Sequence, residues 1–449
     1  MGERVDIAVV GLGAAGLMAA IWAGRRVREL ERAGGRSLRV VGFDGAARLG
    51  AKILVAGGGR CNVTHFEVGE RDYAGASPNA IKKVLRSFDV ARTVGFFREI
   101  GVELKREETG KLFPVTDSAR TVLDALLGAA GEAGVELRHP ARVGGVRVVG
   151  AAAGERDEVG AAGGVGSAEG EFGFEVAGSG GTVAASRVIL ATGGMALPRS
   201  GSDGFGYSIA KGLGHTVTPA VFPALVPLKV EAGHPLMELA GVAAPAAVEV
   251  RASTGKRLAS FTGAVLCTHF GLSGPAVMNM SRHLTAARRE DAGAGLVLNW
   301  LPEHDEQGVD RVLLEAGRER VGRVVDRLAG NGVLASRLIE TLCRCAGVEA
   351  DAPASSLTRE RRRGLVGVLC RMEVGVTGDR GFTFAEATAG GVPLSEVHLA
   401  TMASRVCPGL HLCGEILDVD GRIGGFNFQW AWASGFVAGC GAVGAMGDE

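Results

Sequence analysis

The chain carries no net charge, because 49 basic residues balance 49 acidic ones over 449 positions. No overall field therefore draws it to nucleic acid or to an anionic membrane, although a local basic patch stays open. Cysteine is sparse. The eight thiols, at 61, 267, 343, 345, 370, 407, 413 and 440, are too scattered for a secreted disulfide scaffold and point to a reducing cytoplasm. Cys343 and Cys345 form a lone C-x-C with no second pair or nearby histidine, so no metal site is expected. Lysine is scarce too, eight of the 49 basic residues, and that arginine bias beside abundant Gly and Ala has no functional content. Aromatic residues are 5% and apolar ones 47%, which leaves a globular chain with a sizeable core and room for two or three domains.

Neither a leader nor a membrane span is expected. Residues 7–24 form an uncharged, mostly apolar stretch of 18 positions, long enough to suggest either. The flank Glu3-Arg4-Asp6 lacks the positive character of a leader, and Gly11, Gly13 and Gly16 interrupt the run at the spacing of a nucleotide-binding turn. Glycine is what the chain has in excess. With 72 Gly and 14 Pro the two sum to 86 of 449, about 19%, below the roughly 25–30% of low-complexity sequence, so the glycines need local explanations.

Residues 5–10 are a β-branched run suited to a buried parallel strand, and Gly11-Leu12-Gly13-Ala14-Ala15-Gly16 follows directly. Gly11 permits the tight turn, Gly13 lets the backbone approach a pyrophosphate, and Gly16 lets helix and strand pack closely. The amides of Ala14 and Ala15 open the helix and face the anion. A second strand over 38–43 ends at Asp44, where an acid accepts ribose hydroxyls. Asp44 comes 28 residues after Gly16 rather than about twenty, which implies a longer, Arg-rich first helix. The acid suits FAD or NAD and fits NADP poorly. A Gly-rich loop from Arg48 to Thr64 carries Lys52, Gly57-Gly58-Gly59, Arg60 and Asn62, a composition suited to close backbone approach to a flat or anionic ligand.

That loop, G-A-K-I-L-V-A-G-G-G-R-C-N-V-T, resembles the BaiN/YhiN-like bacterial flavoproteins, a family of NAD(P)/FAD-dependent or aminoacetone-oxidase-like oxidoreductases. The likeness runs from Val5 to Gly439. It includes Phe113-Pro114-Val115 with Ser118-Ala119, Ile189 to Gly194, Gly201-Ser202 through Tyr207, Gly214-His215 and Thr268 to Pro275. It continues through Thr388 to Pro393, Gly414-Glu415-Ile416-Leu417-Asp418 and Gly424 to Gly435. His65, Cys267 and Phe426 stand where Asn, Phe and Tyr are common in the family. The resemblance implies an α/β fold, a Rossmann-like FAD-binding domain of the GR2 type with an inserted β-rich domain and a helical subdomain. It implies FAD as cofactor, with NAD(P)H as transient reductant. It adds Gly58, Gly59, Cys61, Val143, Ala191, Thr192, Gly193, Gly194, Phe426 and Asn427 to the cofactor-binding set. Gly414, Glu415, Asp418, Gly424 and Gly425 agree with it physically, because a strand end followed by a Gly-rich helix start aims amides at the flavin edge that becomes negative on reduction.

The expected division is 1–194 with 376–449 for the FAD domain, 195–300 for the β-rich substrate domain and 301–375 for the helical subdomain. Strands over 143–149, 172–176 and 182–190 return to the first domain, and 150–170 reads as a flexible hairpin insertion. No second strand, G-x-G-x-x-G, helix unit exists. The glycines of 201–206 have reversed spacing and read as a helix start capped by Ser202 or Asp203, so NAD(P)H would dock only transiently.

Reduction of a conjugated C=C bond in a small molecule needs a proton donor beside the flavin. Tyr207, one of two tyrosines, and His269 are the candidates, both within family-like motifs at the expected domain junction. Cys61 has no partner at C-x-x-C spacing, which argues against a disulfide reductase. An RNA-modifying flavoenzyme that reduces uridine is the alternative, with Arg359-Glu360-Arg361-Arg362-Arg363 as the phosphate-contacting run, and an oxygen-using amine oxidase is a third.

Overall fold

Residues 5–10 do form a buried strand, and the apolar run that follows turns into a helix instead of crossing a membrane. β1 is Glu3–Val10 and α1 is Ala14–Arg32, with Gly11 to Gly13 as the turn between them. A computed structural model describes residues 3–150 and 173–444, so most of the expected hairpin insertion over 150–170 lies outside the described residues. No helix among the described residues is long and apolar enough to cross a membrane.

The chain divides into unit 1, Met1–Val221 with Ala387–Glu449, and unit 2, Phe222–Glu386. The centre of unit 1 is a parallel sheet ordered Leu410–Leu412, Gly181–Leu190, β1, β2 (Val40–Phe43) and Glu136–Arg138. β1 lies in register between its neighbours, Val10 opposite Leu190 on one side and Phe43 on the other. The hairpin Val143–Val149 with Gly173–Gly178 joins the sheet antiparallel through Gly181–Leu190. α1 runs 19 residues, and that length accounts for the late arrival of Asp44.

The C-terminal helix Phe426–Gly444 packs along α1, and small residues set the approach. A Cβ at Gly435 would stand 2.5 Å from Ala15 O, and one at Gly439 2.3 Å from Ala19 O. The two helices touch backbone to backbone, which any larger side chain at these positions would prevent.

Unit 2 is a seven-stranded sheet ordered Met372–Val374, Gly295–Asn299, Ala243–Arg251, Arg257–Thr268, Gly271–Ser273, Leu228–Val230 and Val376–Asp379. Helices Glu306–Glu315, Val321–Ala329, Ser336–Cys345 and Arg359–Cys370 share its core, Leu313, Val324, Leu342 and Leu365 clustering with Val248, Val265 and Leu298. The β-rich and helical segments thus enclose one interior. Residues 195–221 fold with unit 1 and 376–386 with unit 2, later boundaries than the sequence reading at 195 and 376. The reason is non-local: Val376–Asp379 finds its partner in Leu228–Val230, well over 100 positions earlier in the chain.

Candidate active site

Four backbone bonds close the C-terminal edge of the parallel sheet. Gly11 N donates to Phe43 O (2.8 Å), Ala191 N to Val10 O (2.8 Å), Cys413 N to Leu190 O (3.1 Å) and Asp44 N to Arg138 O (3.0 Å). They align the glycine turn, Asp44, Ala191 to Gly194 and Gly414-Glu415 along the edge where open α/β sheets bind ligands.

The three motif glycines have different surroundings. Gly11 has φ +92°, and a Cβ there would lie 2.6 Å from Ala191 O. A Cβ on Gly16 would stand 1.8 Å from Gly11 O, so this residue lets α1 close on the turn. Gly13 faces open space, with nothing within 4 Å of a Cβ built on it. It is also the N-cap of α1 and makes no side-chain cap bond, so the first amides of the helix, those of Ala14 and Ala15 among them, lie beside a bare backbone. Asp44 supports this turn: Oδ2 accepts from Leu12 N (2.7 Å) and Oδ1 from Ala46 N (2.8 Å).

The Gly-rich segment begins as a helical turn where a loop was expected. α2 is Ala51–Gly59, and its backbone turns extended at Ala56 and left-handed at Gly57 and Gly58. Lys52, in the first turn, pairs with Glu415, and Glu415 Oε1 also accepts from Thr388 N (2.7 Å). Positions 363 residues apart are joined by that ion pair. Gly58 has nothing within 4 Å of a built Cβ, and Gly59 only Leu54 O at 3.8 Å. Arg60 lies 4.0 Å over the Phe113 ring and pairs with Glu107 (2.6 Å). Burial pushes the Cys61 thiol up to about 12, which leaves it protonated and inert as a redox nucleophile. Beside it, Asn62 Oδ1 is buried without a protein partner, and so is Thr192 Oγ1, which lies against Gly206. Buried polar atoms are rarely left unpaired in a finished interior.

Other expected cofactor residues are engaged with the protein itself. A Cβ on Gly193 would meet Ser202 Oγ at 2.5 Å, and one on Gly194 would meet Thr388 Oγ1 at 2.4 Å. Val143 is the buried first residue of its strand. Gly414 approaches the Ala15 Cβ, and Asp418 is bonded through its backbone to Val392 O and Ala76 N. Gly424 and Gly425 have φ +128° and +96°, and a Cβ on Gly425 would overlap the Thr64 carbonyl at 2.6 Å. Phe426 stacks on His65 at 4.9 Å and accepts from the Tyr73 hydroxyl (2.8 Å). Asn427 closes its own turn on both polar atoms of Gly421.

Sequence reasoning missed the residues that hold this edge in place. Gln429 is buried, accepts from Thr64 Oγ1 (2.7 Å) and Thr93 Oγ1 (3.0 Å), and donates to Phe88 O (2.8 Å). Trp432 Nε1 donates to Val63 O (2.8 Å), Trp430 Nε1 to Gly414 O (3.2 Å), and Ser434 Oγ accepts from Gly414 N (3.0 Å). Thr388 Oγ1 accepts from Met195 N and Ala196 N. For Gln429, Trp430, Trp432 and Ser434 the signal was visible as polar and indole groups inside an otherwise apolar helix.

Tyr207 lies in the helix Phe205–Gly212, whose N-cap is Gly204 in the left-handed region rather than Ser202 or Asp203, because a glycine takes that backbone without strain; Asp203 Oδ1 still accepts from Phe205 N (3.1 Å). The tyrosine is buried, with its hydroxyl 3.5 Å from Gly390 O. Burial, and then the charges of Glu415 and Asp418, hold the phenol well above its ordinary range. His269 belongs to unit 2, exposed in the turn between Arg257–Thr268 and Gly271–Ser273. In the arginine run, Arg362 is committed to Asp310 (2.7 Å), and Leu365, Val366 and Leu369 of that helix are buried in its own unit.

Residues 5–441 match the family described as the HI0933-like protein Rossmann domain. The chain is 33% identical to the 3-dehydro-bile acid delta(4,6)-reductase of Clostridium scindens over 434 residues, 96% of this chain and 98% of that protein. It is 32% identical to the ribosomal RNA dihydrouridine synthase of Escherichia coli, over 97% of each. To the protein of that name from Haemophilus influenzae it is 29% identical, over 97% of this chain and 98% of the other.

Proposed function

Because the chain belongs to the HI0933-like family of Rossmann flavoproteins, we propose that it is an FAD-dependent reductase of a carbon–carbon double bond conjugated to a carbonyl, in a small molecule, with NAD(P)H as the electron source. The observation that carries the cofactor is the bare start of α1 at Gly13, on the edge of the parallel sheet; Asn62 Oδ1 and Thr192 Oγ1, buried and unpartnered in the same unit, add two groups that lack a protein partner. The bond type rests on two relatives named for different substrates. Reduction of a 3-dehydro-bile acid at its delta(4,6) bonds and of uridine to dihydrouridine each saturates a double bond that a neighbouring carbonyl polarises.

When bound, FAD supplies the hydride equivalent that such a saturation requires. The amides beside Gly13 would hold its pyrophosphate. The Asp44 oxygens each keep a lone pair for ribose hydroxyls. Asn62 and Thr192 would gain their missing partners from its polar atoms. Tyr207, neutral across the physiological range, keeps a proton at Oη; we assign it the proton delivered to the carbon beside the carbonyl. The Lys52–Glu415 pair fixes one of the carboxylates that keep this phenol neutral.

The test is a stopped-flow measurement under anaerobic conditions. Reduced, FAD-loaded protein should be reoxidised by a 3-oxo-4,6-diene steroid, yielding a product heavier by two hydrogens. Tyr207→Phe should lower that rate by about 100-fold without changing FAD content. Reoxidation by uridine-containing ribosomal RNA and not by any enone would move the reading to the RNA class. Reoxidation by neither class sinks it.

A further inference from the structure

Three neighbouring strands at one end of the unit 2 sheet, Gly271–Ser273, Leu228–Val230 and Val376–Asp379, carry Lys229, with Arg380 directly after the last of them and His269 in the turn before Gly271, three groups that the redox reading does not use. Lys229 stands opposite Gly271 on one side and Gly378 on the other. Its neighbours Leu228 and Val230 are buried while Lys229 is exposed, which puts its side chain on the solvent face with a glycine at each hand. A Cβ on Gly271 would stand 2.4 Å from Leu228 O, and one on Gly378 3.7 Å from Lys229 Cε. The floor around the ammonium is therefore bare backbone.

Arg380 follows two residues after Gly378, about 7 Å further along the chain. Its guanidinium lies 3.5 Å over the Phe384 ring and 4.4 Å over the Phe270 ring. Phe270 packs edge to face with His269 at 5.1 Å, and His269 is exposed. Among the described residues neither Lys229 nor Arg380 has a carboxylate partner. Asp379 Oδ1 is occupied by Gly381 N (2.7 Å), and Glu231, the next residue on the Lys229 face, reaches Gly375 instead. A guanidinium whose faces are covered by rings keeps its in-plane N–H fork, the geometry that matches a carboxylate or phosphate. Phe384, 44% exposed, leaves an apolar ring beside that fork.

We propose that Arg380, Lys229 and His269 form a binding site for an oxyanion, carboxylate or phosphate, on a ligand whose flat or apolar body packs against Phe384. Arg380 supplies the paired donors and the orientation. Lys229 supplies a second charge over an open floor, and His269 a further polar contact. Recognition here is independent of the redox step, so it can be tested without turnover.

The experiment is calorimetric titration of the FAD-loaded protein with two matched pairs: uridine 5′-monophosphate against uridine, and cholate against its methyl ester. One anion should bind roughly tenfold or more tightly than its neutral counterpart, a difference that weakens with added salt. Arg380→Gln and Lys229→Gln should each erase most of that preference, while the flavin spectrum and the melting temperature stay as in the wild type. Arg380→Lys, which keeps the charge and loses the fork, should recover only part of it, and it serves as the folding control should Arg380→Gln melt early. A preference confined to the monophosphate identifies a nucleotide as the source, and one confined to cholate a small carboxylic acid. If neither anion exceeds its neutral partner, or if the three variants bind as the wild type does, the site does not exist.

Discussion

Gly13 and Gly16 belong to one motif, yet a single methyl group should separate their roles. Gly13→Ala places a Cβ in open space at an ordinary negative φ, so the fold should survive with an unchanged melting temperature. FAD affinity should fall by about 10-fold or more if the pyrophosphate passes there, as read by reconstitution titration of the apoprotein. Gly16→Ala drives a Cβ to 1.8 Å from a backbone oxygen and should cost several kcal/mol, read as insoluble protein or a large drop in melting temperature. Asp44→Ala removes the acceptor of two amides and of the ribose, and should weaken FAD binding by about 1.5–3 kcal/mol. An unchanged dissociation constant would leave Asp44 a purely local brace. The positions of Gly11, Gly16 and Asp44 were readable because local spacing dictates them. The surroundings of Gly193 and Gly194 were not, since the side chains that fill their space, Ser202 and Thr388, come from elsewhere in the chain.

At the scale of elements, the C-terminal helix acts as the brace of the site. Gln429 ties Thr64 to Thr93 and Phe88, which lie at the junction of the helices Pro78–Ser87 and Val90–Glu99. Gln429→Leu keeps the volume and strands the Thr64 hydroxyl and the Phe88 carbonyl in the interior, leaving Thr93 only Asp89 O. It should destabilise unit 1 by about 2–4 kcal/mol and raise the FAD dissociation constant through the loosened Asn62-Val63-Thr64 segment. Urea unfolding of the holoprotein and a cofactor titration read the two effects separately; an unchanged midpoint would show that the network contributes nothing. The helix itself was legible from its apolar run and its opening glycines. Its partners were not, because hydrogen bonds across 336 to 369 positions leave no periodic trace. The same limit explains Arg362. Its side chain is held by Asp310, 52 residues earlier, so what reads as a run of free positive charge is partly an internal ion pair.

Over the whole molecule, acid stability follows from histidines that fold neutral. Burial, and then the charge of Arg187, lowers His411 in unit 1 to about 4, and burial, then Arg282, does the same for His283 in unit 2. The sign follows from linkage. A histidine near 6.5 when unfolded takes up its proton more readily in the unfolded chain, so the stability it supports is whole above that value and is lost as pH falls toward 4. For the almost fully buried His411 this amounts to about 3 kcal/mol over the window. Carboxylates held low by arginine or lysine, Glu3 by Arg138 and Asp117 by Lys105, add their loss only below their ordinary values, so the two limbs separate on the pH axis. The urea midpoint should stay level from pH 8 to about 6.5 and then decline steadily to about 4, where the carboxylate limb begins. His411→Gln, which has no proton to gain, should shallow the upper limb for unit 1 and leave the lower one untouched. A midpoint flat down to pH 4.5 would mean that water reaches His411 or that a neighbour compensates its charge. It would also count against the tight contact of helix and sheet from which the burial of this part of unit 1 derives.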